Sequence, residues 1–129
     1  MTIDDEWQNI QVNKISPSEM LPCVDQKDIY ILDVRPLDFE KDTHFIKNSA
    51  FCPLVFLADQ YTKIPKNKKI ITTDWAMKQS PTAARFLIKQ GYNVLGTLKG
   101  GVERWRSENY PVENRDPKKV DGLLLPVGK

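Results

Sequence analysis

Cysteine and histidine are scarce in this chain, which has Cys23, Cys52 and a single histidine, His44. The two cysteines stand 29 positions apart without metal-ligand spacing, and one histidine does not complete a zinc set, so no metal site is expected. Spacing alone leaves open one disulfide or two free thiols; buried free thiols in a reducing compartment fit better. Long apolar runs are missing as well. Nothing approaches the roughly 18 residues that span a bilayer, and the opening MTIDDEW is acidic where a signal peptide would be basic; the expectation is a cytoplasmic chain without membrane contact. A strong charge of one sign is also absent. The net charge of +2 is small and its one dense patch, Lys63 to Lys69, reads as a solvated turn, so no nucleic-acid partner is expected.

What is present is globular. The 129 residues are 40% hydrophobic and 28% charged, with nine scattered prolines and no internal repeat, which suits one domain with its own core. Residues 1–14 form a polar lead in which Ile10 and Val12 alternate as on a short edge strand. Ser16-Pro17-Ser18-Glu19 is a capping box, and the helix it opens meets Pro22 within a turn or two. Ile29 to Val34 is an apolar, β-branched run of the kind buried on both faces in a central strand. Pro36 to Thr43 is short and helix-prone, Ser49 to Cys52 reads as a brief strand closed by Pro53, and Leu54 to Tyr61 is ambiguous between turn and helix. Asn93 to Leu98 gives a last strand, which Gly100-Gly101 turns into a helix carrying Val102 and the expected core anchor Trp105. Strands alternating with helices predict an α/β fold with a mainly parallel sheet and helices on both faces.

Chemistry, if any, is expected between Lys69 and Gly91. An apolar strand is followed by the loop Asp74-Trp75-Ala76-Met77-Lys78-Gln79-Ser80 and then by a helix, with Ser80 as N-cap, Pro81 first, and Gly91 as the left-handed stop. Ala84, Leu87 and Ile88 form its apolar face. Loop N–H groups gathered at a helix N-terminus make a bowl for an anion, at the strand ends where α/β sheets bind ligands. A nucleophile would stand first in that loop, and there the chain has Asp74.

Asp33-Val34-Arg35 after a buried strand, His44 ahead of Cys52-Pro53-Leu54, the strand, loop and helix of 69–91, and Lys99-Gly100-Gly101 with Trp105 together resemble a single-domain rhodanese over about residues 15–112. The resemblance implies a five-stranded, mainly parallel sheet, and sulfane-sulfur transfer through a persulfide on a cysteine that opens the loop after the fourth strand. Asp74 takes that cysteine's position, with Trp75 to Ser80 as the rest of the cradle. The resemblance also implies structural roles for Asp33, Arg35, His44, Gly100, Gly101 and Trp105. Related phosphatases carry cysteine and arginine where this chain has Asp74 and Ser80. A carboxylate cannot accept and release sulfane sulfur as a thiolate does, and it would accept the loop hydrogen bonds itself.

Two readings therefore stand. One is a non-catalytic binding or regulatory module without cofactor; the other is a sulfurtransferase that uses Cys52 or Cys23. Trp75 and Met77 either present a protein-docking tip or fold back into an unused pocket. The tail, residues 113–129 with Leu123 to Val127, is a second candidate surface for a partner or for another copy in a homodimer.

Overall fold

The computed structural model describes residues 9–36 and 43–115. Five parallel strands form one sheet: β1 (Lys14–Ile15), β2 (Ile29–Asp33), β4 (Ala50–Phe51), β5 (Lys69–Thr73) and β6 (Asn93–Leu98), in the order β1-β6-β5-β2-β4. A separate antiparallel pair joins β3 (His44–Ile46) to β7 (Val112–Asn114). The expected five-stranded α/β architecture is the observed one.

Alternation along the interior strands sends side chains to two faces. Tyr30, Leu32 and Ile70 pack on one side against α2 (Leu54–Gln60) and α3 (Ser80–Lys89), through Leu57, Ala83, Phe86 and Leu87. Ile31 and Ile71 pack on the other against α1 (Pro17–Met20) and α4 (Gly101–Ser107), through Met20, Val102 and Trp105. Trp105 is fully buried, and its indole N–H donates to the Pro111 carbonyl at 2.8 Å, so the expected anchor is in place.

The capping box at Ser16 forms as expected, with the Glu19 N–H on the Ser16 hydroxyl and the Glu19 carboxylate on the Ser16 N–H. Pro22 falls in a 3-10 turn, Leu21–Asp25, which replaces further α-helix. Leu54 to Gln60 resolves as helix. Gly91 stops α3 at φ +88°.

Three expectations need correction. Ile10 and Val12 do not form the edge strand; pairing begins at Asn13, whose carbonyl accepts the Thr97 N–H, while the Ile10 carbonyl is taken by the Arg85 side chain. On α3, Ala83 and Phe86 join Ala84 and Leu87 in the core, whereas Ile88 is only half-buried. Strand β7 straddles the boundary drawn at residue 112, and Arg115 continues the fold by bonding the Ser49 hydroxyl and carbonyl. The helix expected between Pro36 and Thr43, most of the lead and the Leu123 to Val127 stretch lie outside the described residues. Among the described residues, no helix is long and apolar enough to cross a membrane.

Candidate functional site

Strand β5 delivers Asp74 to the carboxyl end of the sheet, and α3 begins six residues later. Strand and helix are tied directly, since the Thr72 hydroxyl donates to the Ser80 carbonyl at 2.9 Å and the Thr97 hydroxyl donates to the Thr72 carbonyl at 3.0 Å. The loop between them therefore spans a fixed gap, and it curls inward through Met77 in the left-handed region at φ 63°.

Asp74 is fully buried, and its carboxylate points into that curl. One oxygen accepts the Met77 N–H at 2.6 Å and the Ser80 hydroxyl at 3.2 Å; the other accepts the N–H groups of Gln79 at 2.5 Å and Ser80 at 3.3 Å. The expected bowl of N–H donors exists, and a side chain of the same loop fills it. This also corrects the helix start. Gln79 occupies the N-cap position without a side-chain cap bond, because Asp74 caps the first turn from outside and draws Ser80 into the helix as its first residue.

The backbone of the loop is held from below. The carbonyls of Asp74 and Trp75 accept the N–H groups of Val102 and Glu103 at 2.8 and 3.1 Å, at the start of α4. Gly101 makes this approach sterically possible: a Cβ there would collide with both carbonyls, and φ is +66°. Sequence reasoning placed Gly100 and Gly101 in a turn; the contact of Gly101 with the loop needs the fold to be seen.

Of the loop side chains, Lys78 is exposed, whereas Trp75, Ala76 and Met77 are half-buried. Trp75 packs on the apolar cluster that contains Trp105. At the same end of the sheet, Val55 and Phe56 on α2 are the large hydrophobic side chains most open to solvent among the described residues, at 80% and 37% exposure.

Beside Asp74 lies a buried ion pair. Arg35 binds both oxygens of the Asp33 carboxylate, with the guanidinium 2.9 Å from one of them, donates to the His44 carbonyl at 2.7 Å, and stacks 4.1 Å from the centre of the Phe45 ring. Burial pushes the Asp33 carboxyl up, Arg35 pulls it down, and the charge of Asp74 pushes it up again. Arg115 lies 4.4 Å from the same Phe45 ring. Nothing in the sequence signalled this second guanidinium, because residues 45 and 115 are brought together only by the β3–β7 pairing.

The cysteines are separate and free. Cys52 is fully buried, and burial pushes its thiol up to about 12. Cys23, half-buried in the 3-10 turn before β2, is raised by burial and by Asp28, and its thiol sits 3.9 Å from the Glu19 carbonyl. Among the described residues, no cluster of three or more histidine, cysteine or acidic side chains could hold a metal ion.

Comparison with known proteins agrees with this architecture. The chain is 29% identical over 96 residues to the thiosulfate sulfurtransferase GlpE of Coxiella burnetii, covering 74% of this chain and 89% of that protein. It is 32% identical over 94 residues to a tRNA uridine(34) hydroxylase of Aster yellows witches'-broom phytoplasma, covering 68% of this chain but 30% of that longer protein. Among solved structures, a rhodanese-related protein from Thermoplasma volcanium superposes with a TM-score of 0.69 at 28% identity, over 78% of this chain and 97% of its own. The family model for the rhodanese-like domain matches residues 16–108, so the chain belongs to the rhodanese-like domain family.

Proposed function

We propose that this rhodanese-like domain is catalytically idle in sulfur transfer and works as a binding or regulatory module. The observation that carries this reading is the Asp74 carboxylate, buried at the head of the loop and accepting four hydrogen bonds from Met77, Gln79 and Ser80. In sulfur transfer a thiolate attacks the sulfane sulfur of thiosulfate, sulfite leaves, and the resulting persulfide needs those same N–H donors. Here an oxygen acid holds the donors already, and it forms no persulfide.

The surroundings support binding in place of turnover. Val55 and Phe56 expose apolar surface at the end of the sheet that carries the loop, where Trp75 and Met77 are half-buried and Lys78 is exposed. We assign the docking of a protein partner to this end. The alternative, sulfur transfer through Cys52 or Cys23, is disfavoured by the burial that keeps both thiols protonated.

A thiosulfate-to-cyanide assay tests the reading, combined with intact-mass detection of an added sulfur atom. The parent chain is expected to stay unmodified and to make no thiocyanate, while Asp74→Cys is expected to gain the persulfide. Stoichiometric persulfidation of the parent, lost in Cys52→Ala or Cys23→Ala, overturns it.

A further inference from the structure

The opposite end of the sheet carries a second concavity. Ile29 faces Lys69 in the parallel register, and the Lys69 N–H donates to the Asp28 carbonyl at 2.9 Å, so the turns that lead into β2 and β5 lie side by side. Between them, the 3-10 turn and the start of β4, there is a cleft of about 400 Å³, within the size range of small-molecule sites.

Its lining combines apolar and cationic groups. Val24, Ile29 and Ala50 supply apolar wall, and Lys27 and Lys68 bring two ammonium groups. Asp25 is the one carboxylate on the wall among the described residues, and it is already engaged, 3.3 Å from the Lys47 ammonium and 3.4 Å from the Asn48 amide. Asp28 is likewise paired with Lys69 at 3.7 Å. Neither Lys27 nor Lys68 has a hydrogen bond or ion pair with any described residue. Two cations without a partner among the described residues, over an apolar wall, match a molecule with an apolar body and an anionic end.

We propose that this cleft binds a small amphipathic organic anion, its body on Val24, Ile29 and Ala50 and its charged end between Lys27 and Lys68. The site is independent of the loop at Asp74, since it lies at the amino ends of the strands. The chemistry is shared by carboxylates and phosphate monoesters, which the test separates.

The experiment is a titration of the isotopically labelled chain with 1-naphthoate, 1-naphthyl phosphate and the uncharged 1-naphthamide, followed by amide chemical shifts. Saturable shifts are expected at Ile29, Asn48 and Ala50, with residues 74–80 unmoved. The neutral amide is expected to bind about tenfold or more weakly, and the double substitution of the exposed Lys27 and the half-buried Lys68, Lys27→Gln/Lys68→Gln, is expected to weaken the anions by a similar factor. Whichever anion binds more tightly identifies the headgroup. Equal affinity for the amide, indifference to the double substitution, shifts centred on residues 74–80, or no saturation at millimolar ligand would each overturn the proposal.

Discussion

Asp33 ends β2 and Asp74 directly follows the neighbouring strand β5: Asp33 faces Thr73 in the β2–β5 register, and the charge of Asp74 helps to raise the Asp33 carboxyl. The candidate site and the buried ion pair are thus one electrostatic unit. Asp74→Asn removes that charge, so Asp33 is expected to titrate at lower pH, followed by its carboxyl carbon resonance. An amide also offers donors where the loop needs an acceptor, leaving N–H groups of Met77, Gln79 or Ser80 unpaired. The expected cost is about 1–3 kcal/mol in urea unfolding. An Asp33 titration that does not move would show the two carboxylates to be uncoupled.

Gly101 is the point where helix and loop backbones meet. In Gly101→Ala a methyl group would have to occupy the space of the Asp74 and Trp75 carbonyls, at a φ of +66° that side chains rarely adopt. Destabilisation of at least about 1–2 kcal/mol is expected from the backbone conformation alone, with the collision adding to it. Thermal unfolding measures the cost, and the amide shifts of residues 74–80 report displacement of the loop. A variant as stable as the parent, with the loop unmoved, would contradict the packing described.

Arg35 is fixed by partners that lysine could not satisfy together: both oxygens of Asp33, the His44 carbonyl and the face of Phe45. Arg35→Met leaves Asp33 buried without its counter-ion, and a loss of about 3–5 kcal/mol is expected. Adding Asp33→Asn should recover part of that loss, because the uncompensated charge is then gone. Strict additivity of the two substitutions in a double-mutant cycle would show that the pair is not coupled.

Much of this was legible in the residues. The IYILDV run, the capping box at Ser16 and the Gly91 stop each carry local signals strong enough to fix an element, and their alternation set the sheet. The loop was legible as a loop because a strand pattern ends at Thr73 and a helix pattern follows Pro81. What stayed hidden depended on distant pairing. Ser80 is a good cap by itself, yet Asp74 reaches the donors first, and side-chain direction within a loop has no periodic signature. Arg115 meets Phe45 across a two-stranded ladder, and the cleft at Lys27 and Lys68 exists only because β2 and β5 are neighbours.

Cys52 offers a test that bears on both stability and sulfur chemistry. Burial raises its thiol from an ordinary 9.0 to about 12, so the folded chain holds this proton more tightly than the unfolded chain. Below pH 9 the thiol is protonated in both states, and its contribution to stability is fully present. As pH rises above 9 the unfolded chain ionises first, and the contribution falls by up to about 1.4 kcal/mol per pH unit until the folded thiol also ionises. Cys23, raised by burial and by Asp28, adds its own loss over the same range and keeps it in Cys52→Ala, whereas Tyr30, raised by burial and in part by the charge of Cys52, adds a loss at higher pH that shrinks in the variant. The variant is therefore expected to lose stability less steeply than the parent from pH 9 upward, measured by denaturant unfolding at stepped pH. Iodoacetamide at mildly alkaline pH should label Cys23 well before Cys52, whose sulfur is wholly enclosed. Parallel pH slopes combined with rapid labelling of Cys52 would mean that its thiolate is accessible, and would return that residue to contention as a sulfur carrier.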